Sequence, residues 1–337
     1  MIKKWTNIGA CLVTLMIIVG GLTRITDSGL SITEFELVDG VFPPLYKSSW
    51  DNKFNKYKNT SEFKLINYNM NLADFKSIYW WEYIHRLLGR IIGIFFLIPV
   101  LFKKIFFKQH PSFYNNYVYL FFLTFLQGIV GWYMVVSGLV EGAINVSHFR
   151  LAVHLFLAVV LFIYLLWTLF SINSQNIDII GNKRIYNLLV FLIPIVFLQI
   201  IFGAFMSGTG AGHQYHTFPT MNGQFIPDSL FAAYGKNGFM SLVNNQGSIQ
   251  FTHRILGVII FSYCFFLWFN FYFKISDIFI KHGILALFVI IIFQSLFGVF
   301  SLILDMPMSF RILHHLGFVF FVFFFVRLFF FTKKRTL

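Results

Sequence analysis

Eight runs of about twenty apolar residues recur along this chain of 337 residues, each long enough to cross the hydrocarbon core of a bilayer as a helix. In lipid the backbone finds no water to bond, so such runs fold as helices that satisfy their own polar groups. The runs fall at about 6–24, 82–102, 116–137, 149–170, 186–206, 250–273, 280–303 and 310–331. Composition agrees: 58% of residues are hydrophobic, only 12% are charged, and 48 are Phe, which excludes an ordinary soluble enzyme. The formal charge of +13 does not point to nucleic acid, because much of the Lys and Arg flanks the apolar runs and no long basic soluble module exists. Cys11 and Cys264 sit in separate apolar runs, so neither a CxxC site nor a disulfide is expected. The expected fold class is an all-α membrane protein with eight transmembrane helices.

The short loops set the expected orientation. Lys3 and Lys4, then Lys103, Lys104 and Lys108, then Lys183 and Arg184, then Lys274 and Lys281, then Lys333, Lys334 and Arg335 all fall on one side. That side is assigned to the cytoplasm, which leaves both termini inside. Outer loops at about 25–81 and 207–249 are then long. The first ends in Tyr79-Trp80-Trp81, which reads as an interfacial aromatic belt, and the second is rich in Gly, Asn and Ser and is expected to be irregular. The first apolar run is too long for a cleavable signal peptide, and no Arg/Ser-rich transit peptide precedes it. The expected location is a bacterial inner membrane, with the mitochondrial inner membrane, for an organelle-encoded protein, as the alternative.

The chain repeats itself. His85 in EYIHRLLGRIIG and His253 in QFTHRILGVII are offset by 168 residues, Gln127 and Gln294 by 167, and Arg150 and Arg311 by 161. Gly20 and Gly203 form a weaker pair. The pattern implies two tandem four-helix bundles, residues 1–170 and 171–337, with the same orientation in the membrane.

Four histidines stand just inside the same ends of these helices: His85, His154, His253 and His315. An ionisable side chain inside a membrane span is costly and usually has a function and a partner. Neutral imidazole is a good axial ligand for haem iron, and two histidines on facing helices can clamp one porphyrin. Zinc or copper would want three or more nearby ligands, and the spans offer no further Cys or carboxylate cluster. His315 is preferred over His314 because it keeps the four-residue spacing from Arg311 that His154 keeps from Arg150. All four lie at one depth, near the outer face, which argues against simple electron transfer across the membrane. His213 and His216, in the Gly-rich outer loop, are a weak candidate metal pair. His110 and His282 fall in cytoplasmic turns, and His148 on the outer side.

Arg86 and Arg254 directly follow a candidate ligand, whereas Arg150 and Arg311 precede one by a helical turn. Two readings stand for these arginines: pairing with haem propionates, or snorkelling to the outer headgroups. Glu82, three residues before His85, has Gln250 as its counterpart before His253. A carboxylate in one half and an amide in the other suggests that the first site does proton chemistry.

At these residues the chain resembles the haem A synthase family. The matching text is GGLTRITDSGLSITEF at 20–35, WWEYIHRLLGR at 80–90, LQGIVGWYMVVSGL at 126–139, FRLAVHL at 149–155, FTHRILG at 251–257 and FRILHHLG at 310–317. The resemblance implies an eight-helix membrane oxidoreductase that oxidises the C8 methyl group of haem O to the formyl group of haem A, for cytochrome oxidase. It implies haem b as cofactor in the second half, on His253 and His315, and the haem substrate in the first half, on His85 and His154. It also places the family's essential glutamate at Glu82. Implied partners are haem O, an electron donor (ferredoxin-type proteins among the candidates), the haem O-forming enzyme and membrane lipid, without nucleic acid. Some members carry a cysteine pair in the first outer loop, and this chain has none there, which matches the cysteine-free members of mitochondria and related bacteria. Two other classes compete. A quinol-linked dihaem electron carrier would hold two identical, unmodified haem b groups. A transporter would need broken helices near the midplane, for which Pro194 is one candidate.

Overall fold

A computed structural model describes residues 1–34, 39–175 and 179–333; Lys334 and Arg335 of the C-terminal basic cluster lie outside them. Among the described residues the regular structure is helical, and eight helices are long and apolar enough to cross a membrane. The chain is a multi-pass membrane protein. It divides into two compact units, Met1–Leu161 and Phe162–Leu337.

The first unit begins with α1 (Ile2–Ile25). Its polar side chains stay bonded within the helix: Thr6, Thr14 and Thr23 each return their hydroxyl proton to the carbonyl one turn earlier. Two short helices follow, α2 (Lys47–Lys58) and α3 (Ser61–Leu65). The second apolar run belongs to a longer helix than the hydropathy implied, α4 (Leu72–Leu101). It starts ten residues early because Asn71 caps it, accepting from the amides of Ala73 and Asp74 while Asp74 accepts from the amide of Asn71. At 30 residues it outruns the bilayer core by several turns. The projecting part carries Phe75, Tyr79 and Tyr83, which pack with Trp50, Phe54 and Tyr57 of α2 and with Ile32. Tyr79 is thus a buried core residue rather than part of an interfacial belt, whereas Trp80 is exposed. A short turn, α5 (Lys103–Phe106), leads to α6 (Tyr114–Val136). The Tyr117 hydroxyl of α6 bonds the Thr6 hydroxyl of α1 at 2.8 Å, and Trp5 stacks on Phe95 of α4. Helix α7 (His148–Asn173) carries the chain past the unit boundary at Leu161.

The second unit continues with α8 (Lys183–Thr209), which runs unbroken through Pro194; the midplane break that a transporter would need does not occur there. The loop expected to be irregular contains α9 (Asp228–Asn237) and α10 (Ser241–Asn244). Three spans close the unit: α11 (Gln246–Phe271), α12 (Ile278–Ile303) and α13 (Met308–Thr332). Tyr263 of α11 donates to the carbonyl of Leu188 on α8, and the amide of Asn182 donates to the carbonyl of Thr332 at the end of α13.

Outside the spans, the Tyr57 hydroxyl donates to buried Glu62 at 3.0 Å and accepts from Asn67 at 2.8 Å. Burial pushes the Glu62 carboxyl from an ordinary 4.5 up to about 7, against the lowering effect of the Tyr57 hydrogen bond. The folded state therefore binds a proton that the unfolded state releases first. The stability this proton supplies is full below pH 4.5 and is lost as pH rises through about 7, by roughly 3 kcal/mol at most. Amide exchange in residues 47–67 should accelerate, beyond the intrinsic pH effect, between pH 5 and pH 8, and Glu62→Gln should abolish that excess. Equal pH dependence in the variant and the native chain would refute the assignment.

Candidate active site

Each unit carries two histidine rings inside its spans. In the first they are His85 of α4 and His154 of α7. In the second, the rings of His253 on α11 and His314 on α13 lie 6.4 Å apart, nearly perpendicular. It is the ring of His314, the neighbour of the candidate His315, that faces His253, while the His315 ring packs near Phe318 of its own helix. Consecutive residues on a helix point about 100° apart, so only one of the pair can face the bundle interior.

Large rings fit between helices here because a glycine stands opposite each one. A Cβ on Gly20 would come within 3.0 Å of the His85 ring, one on Gly131 within 2.8 Å of His154, one on Gly203 within 3.3 Å of His253, and one on Gly298 within 3.0 Å of His314. The supporting helices are α1, α6, α8 and α12. One turn before each glycine stands a fixed residue: Gln127, Gln199, Gln294 and, in α1, Met16. Gln127 places its amide nitrogen 3.1 and 3.2 Å from the two ring nitrogens of His154 and donates to the His154 carbonyl. Gln199 reaches Nε2 of His253 at 3.3 Å, and Gln294 reaches Nε2 of His314 at 3.4 Å. The Nδ1 of His314 donates to the Gln294 carbonyl at 3.0 Å, which fixes that tautomer, so Nε2 is the nitrogen that accepts from the Gln294 amide. The repeat at 16–20, 127–131, 199–203 and 294–298 joins the Gln127/Gln294 and Gly20/Gly203 pairs of the sequence into one pattern over four helices.

In each unit a residue pair on the helix that carries the first histidine pins the loop leading into it. Glu82 is 2% exposed. Its Oε2 accepts from the Ser31 hydroxyl and the Ile32 amide, both at 2.7 Å, and its Oε1 accepts from Nε and Nη2 of Arg86 at 3.0 and 2.6 Å. Arg86 donates further to the carbonyls of Ile32 and Glu34. In the second unit Gln250 donates to the carbonyl of Tyr215, and Arg254 donates to those of Tyr215, Thr217 and Thr220. Arg86 thus divides its donors between Glu82 and loop carbonyls, and Arg254 gives its Nη groups to loop carbonyls. Arg150 lies over the Tyr133 ring and donates to its carbonyl, and Arg311 keeps a buried Nε without a partner among the described residues.

His213 and His216 approach Asp305 at 3.9 and 3.5 Å. Among the described residues, however, no group of three or more His, Cys, Asp and Glu could hold a metal ion.

The sequence matches the COX15-CtaA family, described as cytochrome oxidase assembly protein, over residues 3–326. The chain belongs to this family. Among its relatives, a protein of Pelagibacter ubique named heme A synthase is 42% identical over 316 residues, covering 94% of this chain and 92% of that protein. Proteins with the same name from Parvibaculum lavamentivorans (40% identical, covering 74% of this chain and 72% of the relative) and Ehrlichia canis (35%, covering 93% and 88%) are also similar. The family match takes in both histidine pairs, all four facing glycines and both loop clamps.

The clamp makes its own prediction. Arg86→Gln would leave Glu82 buried without its cation and release the loop at 31–34, at a cost of about 3 kcal/mol. Thermal unfolding in detergent should show that loss, and limited proteolysis should open the loop. A variant as stable and as resistant as the native chain would contradict the clamp.

Proposed function

We propose that this chain is a haem A synthase: a membrane oxidoreductase that converts haem O to haem A and so supplies cytochrome oxidase assembly. The observation that carries the reading is the pair of imidazole couples, each cradled by facing glycines, in a chain that belongs to this family. The substrate, haem O, is placed in the first half, 1–170, between His85 and His154. A resident haem b is placed in the second half, 171–337, between His253 and His314. The compact units divide earlier, within α7.

The residues fit such a group. The rings face each other across bundles in which a Cβ at Gly203 or Gly298 would strike them. His253 Nδ1 and the side-chain oxygens of Gln199 and Gln294 are buried without partners among the described residues, orphaned polar atoms of the kind a bound group would satisfy. Arg150 and Arg311 are the arginines best placed for propionates. Haem b, when bound, supplies redox equivalents.

The reaction takes an unactivated methyl group through successive hydroxylations and loss of water to a formyl group. Within the protein, His85 and His154 bind and orient the substrate iron. Glu82, one turn from His85, sets a negative charge beside the substrate, where positive charge develops as the C–H bond is oxidised. The four hydrogen bonds it accepts hold its carboxylate in that position. The clamped loop excludes water from this end of the site. We place the protein in a bacterial inner membrane with both termini in the cytoplasm. It would take electrons from a separate donor, ferredoxin-type proteins being one class, and could receive haem O directly from the enzyme that forms it.

Purified protein supplied with haem O should release, on extraction, haem b together with haem A or its alcohol precursor, resolved by chromatography and mass spectrometry. Glu82→Gln should retain haem but stop at haem O or the alcohol. Two unmodified haem b groups per chain, unchanged by added haem O, would replace this reading with a dihaem electron carrier. The ligand set has a separate check. His253→Met and His314→Met should each alter the haem b spectrum, whereas His315→Met should leave it unchanged. The reverse pattern would restore His315.

A further inference from the structure

A knuckle of five residues outside the spans, Phe42-Pro43-Pro44-Leu45-Tyr46, leads into α2. Its large side chains stand clear of the rest of the unit: Phe42, Leu45 and Tyr46 are 75%, 74% and 75% exposed. Large apolar groups gathered outside the core mark a contact with something else.

Two contacts fix the depth of the knuckle. At one end the Tyr83 hydroxyl of α4 donates to the carbonyl of Val41 at 2.6 Å. At the other, the Tyr46 carbonyl accepts from the Trp50 amide, and the Trp50 ring lies 6.0 Å from that of Trp80 on α4. The knuckle is therefore held beside residues 80–83. There α4 leaves the hydrocarbon. Leu101, with Lys103 and Lys104 just beyond it, marks one boundary of the core, and about 20 residues back along the helix, the length that crosses it, comes Glu82. The exposed apolar side chains of α4 continue from the same place, since Trp80, Ile84, Ile91 and Ile94 share one face of the helix. The backbone of the knuckle also suits an apolar medium. Pro43 and Pro44 have no N–H to leave unsatisfied. The Val41 carbonyl is taken by Tyr83, and the Tyr46 amide donates to the Ser49 hydroxyl at 3.2 Å. Lys47, exposed and next in sequence, is placed to meet lipid phosphates.

We propose that the knuckle at 42–46 is seated in the bilayer, with Phe42, Leu45 and Tyr46 among the acyl chains of the leaflet at the Glu82 end of α4. Its depth, its continuity with the lipid-facing stripe of α4 and its paired prolines favour lipid over a protein partner. The loop that Glu82 and Arg86 hold at Ile32 thus has a second anchor further along the chain, in the membrane itself. This inference rests on the membrane fold and not on the function proposed above.

The full chain in vesicles of phosphatidylcholine and phosphatidylglycerol tests it. Cys11→Ser and Cys264→Ala remove the native thiols. A nitroxide is then attached at Phe42→Cys or Leu45→Cys or, as a control, at Lys58→Cys, at the other end of α2 where Tyr57 meets Phe75. Collisions with dissolved oxygen, which concentrates among acyl chains, are compared with collisions with a polar nickel chelate, which stays in water. The ratio should shift toward oxygen at 42 and 45 and toward nickel at 58. Labels at 42 and 45 as open to nickel as the one at 58 would overturn the proposal. So would labels shielded from both reagents, the result expected if a protein partner or a second copy of this chain covers the knuckle. The unsubstituted chain gives an independent check should the cysteine-free one fail to assemble. A phospholipid with a photoactivated diazirine near the glycerol end of its acyl chain should crosslink within residues 42–46 as well as to the α4 stripe. Crosslinks to α4 with none at 42–46 would sink the lipid seating.

Discussion

The close approach of a helix backbone to an imidazole ring is the contact on which the rest of this structure depends. A histidine pointing into a helix bundle needs room that ordinary side chains would fill, and the glycine opposite each ring provides it. The same glycines set which helices can be neighbours. α1 must lie against α4, α6 against α7, α8 against α11, and α12 against α13, because each pairing joins a glycine to the ring it accommodates. Within each unit the site and the helix packing are therefore one arrangement. A substitution that disturbs a ring also disturbs the contact between two spans.

The loops depend on the same arrangement at one remove. Arg86 and Arg254 sit beside their histidines within α4 and α11, and from there they gather the carbonyls of the segments that precede those helices. Buried carbonyls near a bilayer end need donors, and a guanidinium supplies several in a fixed fork. This is why a motif that reads His-Arg in both halves combines a ring directed at the bundle with a charge directed at the loop. The two side chains diverge by the angle between consecutive residues of a helix.

Much of this was legible in the sequence. All eight spans follow from apolar run length, since backbone satisfaction in lipid leaves no other fold. Three of the four facing histidines follow from their place at helix ends. The fourth, His314, adjoins the His315 that the spacing from Arg311 along the same helix selects. Counted from the facing helix, the 167-residue offset relates Gln127 to Gln294 and Gly131 to Gly298, and those two residues touch His314. The start of α4 at Leu72 was hidden because hydropathy detects the bilayer, whereas this end of the helix is made by the Asn71 cap and by an aromatic core outside it. The work of Arg86 and Arg254 could not be read at all, since their partners are mostly backbone carbonyls, which every residue has.

The contrast between Glu82 and Gln250 takes on a different meaning once the loops are in place. It first suggested proton chemistry at one site and none at the other. In the structure the two loops present opposite groups to the same position: Ser31 and Ile32 offer donors to Glu82, whereas Tyr215 offers an acceptor to Gln250. Each residue type matches its loop, so an amide at 82 would turn its N–H groups either toward the donors of Ser31 and Ile32 or toward Arg86. The carboxylate is thus required by the fold of its loop before any chemistry begins. What sets it apart is that it satisfies the loop and at the same time fixes a negative charge one turn from His85. A glutamine cannot do both, and that, rather than a mobile proton, is the simplest physical reason for the difference between the halves.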